Sequence, residues 1–288
     1  MKIGVVFPQT EIGDDPDIVS RFATTAESLG YRHLLAYDHI LGADTKNRPG
    51  WQGPYTSESV FHEPLVLFGF LAGQTTTLEF ASGVLILPQR QTALVAKQAA
   101  AVDVLSKGRL RLGIGTGWNP VEYEALAEDF GNRGVRSEEQ IDVMRRLWAE
   151  PTVDFEGKWH KISDAGINPL PPRRKIPVWL GGGAPAVVDR VGRLADGWIP
   201  MDISRLSEDL ARVHQVAREH DRNPDEIGID CVIPPSNDAD GARDQLKSLE
   251  DLGVTHVTVS MMNLGLGSPE AHVDSLKGYW DAVGALCN

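Results

Sequence analysis

Cysteine is almost missing from this chain: Cys231 and Cys287 are the two in 288 residues, far apart and without metal-ligand spacing. That scarcity argues against a disulfide framework and against a zinc site, and it fits a reducing cytoplasm. No run of about 18 apolar residues occurs, and no basic region followed by a long apolar stretch precedes the first strand-like segment at Lys2, so neither export nor a membrane span is expected. Positive charge is also in short supply. Twenty-eight Lys and Arg face 40 Asp and Glu, a formal net charge of -12, which opposes a phosphate backbone and sets nucleic acid aside as a partner. An anionic cofactor remains compatible, because backbone amides at a helix start make a local positive site whatever the net charge. Repeats and low-complexity segments are lacking too, and the length suits one large domain spanning residues 1–288.

What is present is alternation. Apolar runs mark strands at Lys2–Phe7, His33–Tyr37, Thr77–Leu87, Arg109–Gly115, Pro177–Gly181, Gly197–Met201, Ile227–Val232 and Val254–Ser260. Helical patterns fall between them, at 17–29, 64–75, 92–105, 133–148, 184–194, 204–220, 238–252 and 271–286, some closed by Gly or opened by Pro. A polar stretch from Gly42 to Glu58 reads as a long loop and 153–162 as a hairpin turning at Glu156-Gly157, which puts insertions after strands two and four. Eight such units suit either a closed (β/α)8 TIM barrel or a doubly wound sheet. The length, and glycine-rich turns after several strands, favour the barrel.

In a barrel the chemistry belongs where strands end and loops begin. Gly181-Gly182-Gly183 follows a strand and opens a helix, so its amides suit an anionic group; a tight turn needing positive φ explains the same triplet. Gly113-Ile114-Gly115-Thr116-Gly117 departs from the dinucleotide fingerprint, since position 118 is Trp118 and no acidic residue follows at the required distance. Its missing side chains suit close contact with a flat ring. Asp38-His39 ends strand two, where His39 serves as a proton donor or acceptor or forms a structural pair with Asp38. Among the tryptophans, Trp118 and Trp198 are the better pocket candidates, Trp51 lies in the long loop, and Trp179 belongs to the core.

These residues are similar to the luciferase-like monooxygenase superfamily and, within it, to the class dependent on the deazaflavin coenzyme F420. The similarity runs through Lys2–Pro8, Ala26–Tyr31, Tyr37–His39, Ser82–Pro88, Ala96–Arg109, Gly113–Asn119, Glu122–Leu126, Phe155–His160, Pro177–Gly183 and Ala195–Trp198. The resemblance implies a luciferase-like barrel with a deazaflavin or flavin ring at its mouth and the phosphate tail near the glycine triplet. Cofactor contacts are then expected from Asp38, Ser82, Gly83, Val84, Gly115, Thr116, Gly117, Trp118, Asn119, Gly181, Gly182, Gly183 and Trp198. It further implies a bulge with a non-proline cis peptide at Ser82-Gly83-Val84, catalysis by His39, and a homodimer. The activity implied is hydride transfer between F420 and a small organic substrate, with an FMN-dependent two-component monooxygenase and a non-catalytic cofactor-binding relative as alternatives. The loops at 42–58 and 200–205 would choose the substrate.

Overall fold

The computed structural model describes residues 1–236 and 238–284; Cys287 and the end of the last helix expected at Leu286 lie outside them. In chain order the elements are β1 (Lys2–Val6), α1 (Pro16–Leu29), β2 (His33–Ala36), α2 (Pro64–Ala72), β3 (Glu79–Ser82), β4 (Leu85–Ile86), α3 (Thr92–Leu105), β5 (Leu110–Gly115), α4 (Pro120–Ala125) and α5 (Arg133–Ala149). There follow β6 (Val153–Glu156), β7 (Lys161–Ala165), β8 (Val178–Gly181), α6 (Pro185–Leu194), β9 (Gly197–Ile199), α7 (Leu206–Glu219), β10 (Gly228–Ile233), α8 (Ala239–Asp251), β11 (His256–Val259) and α9 (Pro269–Val283).

The parallel strands run β3-β2-β1-β11-β10-β9-β8-β5-β4, and β3 also pairs with β5, so the sheet closes into a (β/α)8 barrel. Strands covered by helices outside and by side chains inside read as near-continuous apolar runs, which is why the alternation was legible. The helix boundaries follow local chemistry. In α1, Asp15 caps the Asp17 amide, Pro16 supplies the first turn, and Gly30 closes the helix at φ 109.

Two expectations change. The third strand is not continuous over 77–87. It breaks between β3 and β4 at the cis Gly83–Val84 peptide, where the resemblance places one, and both halves pair with β5. The hairpin β6-β7 turns over 157–160 instead of at Glu156-Gly157, and it lies between α5 and β8, so it interrupts a helix-to-strand connection. The short α4 has no counterpart in the sequence reading.

Side chains of period two fill the barrel in layers. Near the N-terminal ends of the strands sit Lys2, Trp179 and His256; above them His33, Arg111, Asp230 and Thr258 form a buried polar layer. Val6, Leu35, Ala81 and Met262 then make a small apolar cluster toward the mouth. Trp179 fits because Gly197 and Gly228 approach its indole; a Cβ on either would overlap the ring.

Candidate active site

His39 lies just past the end of β2, and its Nδ1 stands 3.0 Å from Glu122 Oε1 on α4. The two side chains are 10% and 1% exposed. Glu122 also accepts the Ile40 amide at 3.0 Å through Oε1 and Gln89 Nε2 at 3.0 Å through Oε2. Burial pushes its pKa up, but the hydrogen bonds from His39, Gln89 and Ile40 outweigh that and hold it below the ordinary carboxylate value. An ionised carboxylate only accepts, so the partner assigns a proton to Nδ1 of His39 and leaves Nε2 as the nitrogen for proton exchange. That arrangement suits general acid–base work.

Aromatic rings enclose the imidazole: Tyr55 at 4.6 Å, Phe61 at 4.9 Å and Trp118 at 5.7 Å between centroids, with Trp51 5.8 Å beyond Trp118. His39, Tyr55, Phe61, Ser57, Ser59 and Asn119 line a cleft of about 260 Å3. The long loop after β2 therefore supplies one wall of it. Gly42 lets that loop fold back on itself, since a Cβ there would overlap the Thr56 carbonyl.

Asp38 is buried and faces away from solvent. Its Oδ1 accepts Arg90 Nη2 at 2.7 Å and its Oδ2 accepts the Ile86 amide at 2.9 Å, while Arg90 Nη1 reaches Glu63 Oε1 at 2.7 Å. Asp38 thus ties the end of β2 to β4 and orients His39 through the chain. Ser82 is also fully buried and donates to the Gly113 carbonyl at 2.7 Å. Asn119 caps α4 by accepting the Val121 amide, and the Thr116 carbonyl accepts the Tyr123 hydroxyl at 2.7 Å.

The glycines of β5 and β8 also make room for a side chain of the third strand. The isopropyl group of Val84 lies over both Gly115 and Gly181, and a Cβ on either would overlap it; a Cβ on Gly117 would crowd Ile86. The absent side chains seat the bulge, and the half-buried Val84 offers an apolar ledge in their place. Gly183 remains open, with the nearest neighbour to an added Cβ at 3.8 Å, whereas Gly182 (φ 136) stands close to Val187, 3.3 Å from an added Cβ. Helix α6 begins there with Ala184 as N-cap and no side chain capping it. Thr116, Ser137, Gly181 and Arg190 line a narrow cleft at that start. Arg190 there is paired through Nε with Glu138 at 2.8 Å; the uncapped helix start suits an anionic tail, and the ledge a flat ring. These residues fit a deazaflavin or flavin.

Trp118 is 42% exposed and stands against the His39 ring, whereas Trp198 is fully buried and donates from Nε1 to the Gly182 carbonyl at 2.8 Å. Trp198 lies behind the triplet and fixes its backbone. Glu122, Gln89, Arg90, Tyr55 and Phe61 were missed as site residues. The signal for Glu122 was Asn119-Pro120 followed by an acid two residues later, the opening of a helix directly after a strand end.

The family model described as luciferase-like monooxygenase matches residues 1–250. The chain belongs to the luciferase-like monooxygenase family. Members of this family are oxidoreductases or monooxygenases. An uncharacterised protein of Mycobacterium tuberculosis is 35% identical over 249 residues, covering 82% of each chain. The F420-dependent glucose-6-phosphate dehydrogenase of Amycolatopsis mediterranei is 29% identical over 211 residues, 69% of this chain and 57% of that one. Among solved structures, an F420-dependent secondary alcohol dehydrogenase in complex with an F420-acetone adduct shares the fold, with a TM-score of 0.80, 17% identity and 98% of both chains covered. Among the described residues no helix is long and apolar enough to cross a membrane.

Proposed function

We propose that this family member is an F420-dependent oxidoreductase acting on a small hydroxyl or carbonyl compound. The observation that carries the reading is the His39–Glu122 pair, which engages Nδ1 and leaves Nε2 as the ring nitrogen for proton exchange in an aromatic cleft at the mouth of the barrel. When bound, the deazaflavin supplies the hydride acceptor or donor. Gly182, Gly183, the start of α6 and Arg190 hold its anionic end, and Val84 supports its ring. His39 takes the hydroxyl proton as an alcohol becomes a carbonyl, and returns it in the reverse direction. Glu122 stabilises the imidazolium that forms, while Tyr55, Phe61 and Trp118 exclude water from the exchange. The F420-dependent relatives support the choice of cofactor.

The family's monooxygenase members favour one second reading, reduced FMN reacting with oxygen. Two assays separate them: anaerobic loss of oxidised F420 absorbance across small primary and secondary alcohols, and substrate-dependent oxygen consumption with reduced FMN. Turnover in the first and background in the second is expected. Turnover in the second alone makes the chain a flavin monooxygenase; tight F420 binding without turnover in either makes it a non-catalytic binder.

A further inference from the structure

The barrel end opposite His39 carries a second charged cavity. A cleft of about 220 Å3 opens among the first residues of β1, β3, β5, β8 and β11, and adjoins a wider one of about 540 Å3 that shares Lys2, Glu79 and His256. Arg111, from β5, lines the cleft although it is only 5% exposed. Its guanidinium lies 4.3 Å over the Trp179 ring, and its Nη2 donates to Asp230 Oδ2 at 2.7 Å. Nε and Nη1 are buried and have no hydrogen-bond acceptor among the described residues. Leaving charged N–H groups buried and unmet is costly, so an acceptor at that position stabilises the fold.

Nothing already in the layer supplies one. Asp230 accepts Thr258 Oγ1 at 2.8 Å and faces His33 Nε2 at 3.4 Å as well as Arg111. Burial holds His33 and His256 below their ordinary pKa, so both rings are neutral near pH 7 and add no charge. Arg109 spends its guanidinium on Thr75 and on the carbonyls of Ala72, Thr75, Leu78 and Ser106. Glu79 is paired with Lys2 at 2.8 Å, and burial pushes the Asp103 carboxyl up, against its charge. Arg173 and Lys175 stand exposed at the rim on the connection before β8, Lys175 paired to Asp196 at 2.7 Å. Five basic side chains and two acidic ones therefore line this cleft, Lys2, Arg109, Arg111, Arg173 and Lys175 against Glu79 and Asp103, in a chain of net charge -12.

We propose that this cleft at the foot of the barrel binds a small phosphate-type oxyanion, with the unmet guanidinium nitrogens of Arg111 as its inner donors and Arg173 and Lys175 as its outer ones. Charge-assisted hydrogen bonds to a phosphate oxygen satisfy a guanidinium better than water does. Its place below the polar layer separates it from the cofactor end, so it is independent of the redox reading.

The test is a titration of the full-length protein with inorganic phosphate at constant ionic strength, followed by the Arg111 Nε–H resonance and compared with chloride and succinate. A saturable shift with phosphate alone is expected. The surface variant Arg173→Ala with Lys175→Ala should weaken the apparent Kd about tenfold or more, with folding and turnover unchanged. No saturable shift at Arg111, equal shifts with chloride, tighter binding of succinate, or shifts confined to Gly183 and its neighbours would each overturn the site.

Discussion

At the scale of single residues the proton-transfer reading rests on which nitrogen of His39 carries the proton. Glu122 sets it by accepting from Nδ1. A glutamine at 122 keeps the shape but loses the charge and offers the ring a donor, which favours the wrong tautomer. Glu122→Gln is therefore expected to lower kcat by roughly 10²–10⁴-fold while cofactor affinity and Tm change little, and His39→Ala to fall in the same range. Steady-state kinetics beside a thermal melt check this; a fall in Tm that accounts for the lost activity would reduce the pair to a structural one. A packing prediction belongs to the same scale. Gly197→Ala drives a methyl into the Trp179 indole, and overpacking of that kind costs about 1–3 kcal/mol. Urea denaturation reads it, and an unchanged midpoint would contradict the layer arrangement.

Among the elements, the hairpin β6-β7 hangs on one carboxylate. Glu139 of α5 accepts the amides of Lys158, Trp159 and His160 at 2.8, 2.8 and 2.9 Å, and His160 Nδ1 at 2.8 Å, while His160 Nε2 meets Thr92 Oγ1 of α3 at 2.6 Å. These hydrogen bonds hold Glu139 below the ordinary carboxylate value against the cost of burial. Glu139→Ala should free the hairpin at a cost of about 1–2 kcal/mol and speed amide exchange over 153–165, with the barrel strands unaffected. Uniform acceleration across the barrel would show that the hairpin is not a separate unit.

The strands were readable because both of their faces are buried, and the glycine triplet and His39 because they stand where strands end. The long-range partners were not. Glu122 lies 83 residues from His39, and Arg90 lies 52 residues from Asp38; no local pattern encodes either distance. The break in the third strand is silent in its apolar run and came from the family resemblance alone. Trp198 misled because a tryptophan after glycine looks like a strand tip, whereas the interior of β9 turns its ring behind Gly182.

For the whole molecule, the barrel interior is polar at its foot and middle and apolar below its mouth, and this gradient gives a pH dependence. Burial, with Arg111 and His33 nearby, lowers the pKa of His256 from 6.5 to about 2, and burial lowers that of His33. In the folded state both stay neutral while the unfolded chain takes up protons below pH 6.5. Stability from these groups is complete above pH 6.5 and is lost as pH falls beneath it. Between pH 6.5 and 5 His256 alone contributes a loss of about 2 kcal/mol. Urea unfolding across pH 7 to 5 should show this decline, and His256→Gln should flatten it; a level wild-type profile would contradict the buried neutral layer.

The central claim concerns the other end, which carries the Val84 ledge, the uncapped start of α6 and the His39 cleft. Equilibrium titration of the purified protein with F420 and, separately, with FMN tests it most directly. The account expects saturable F420 binding at least tenfold tighter than FMN, weakened when Gly183→Asp places a negative charge at the start of α6. Tighter binding of FMN, or F420 binding that this substitution leaves unchanged, would contradict it.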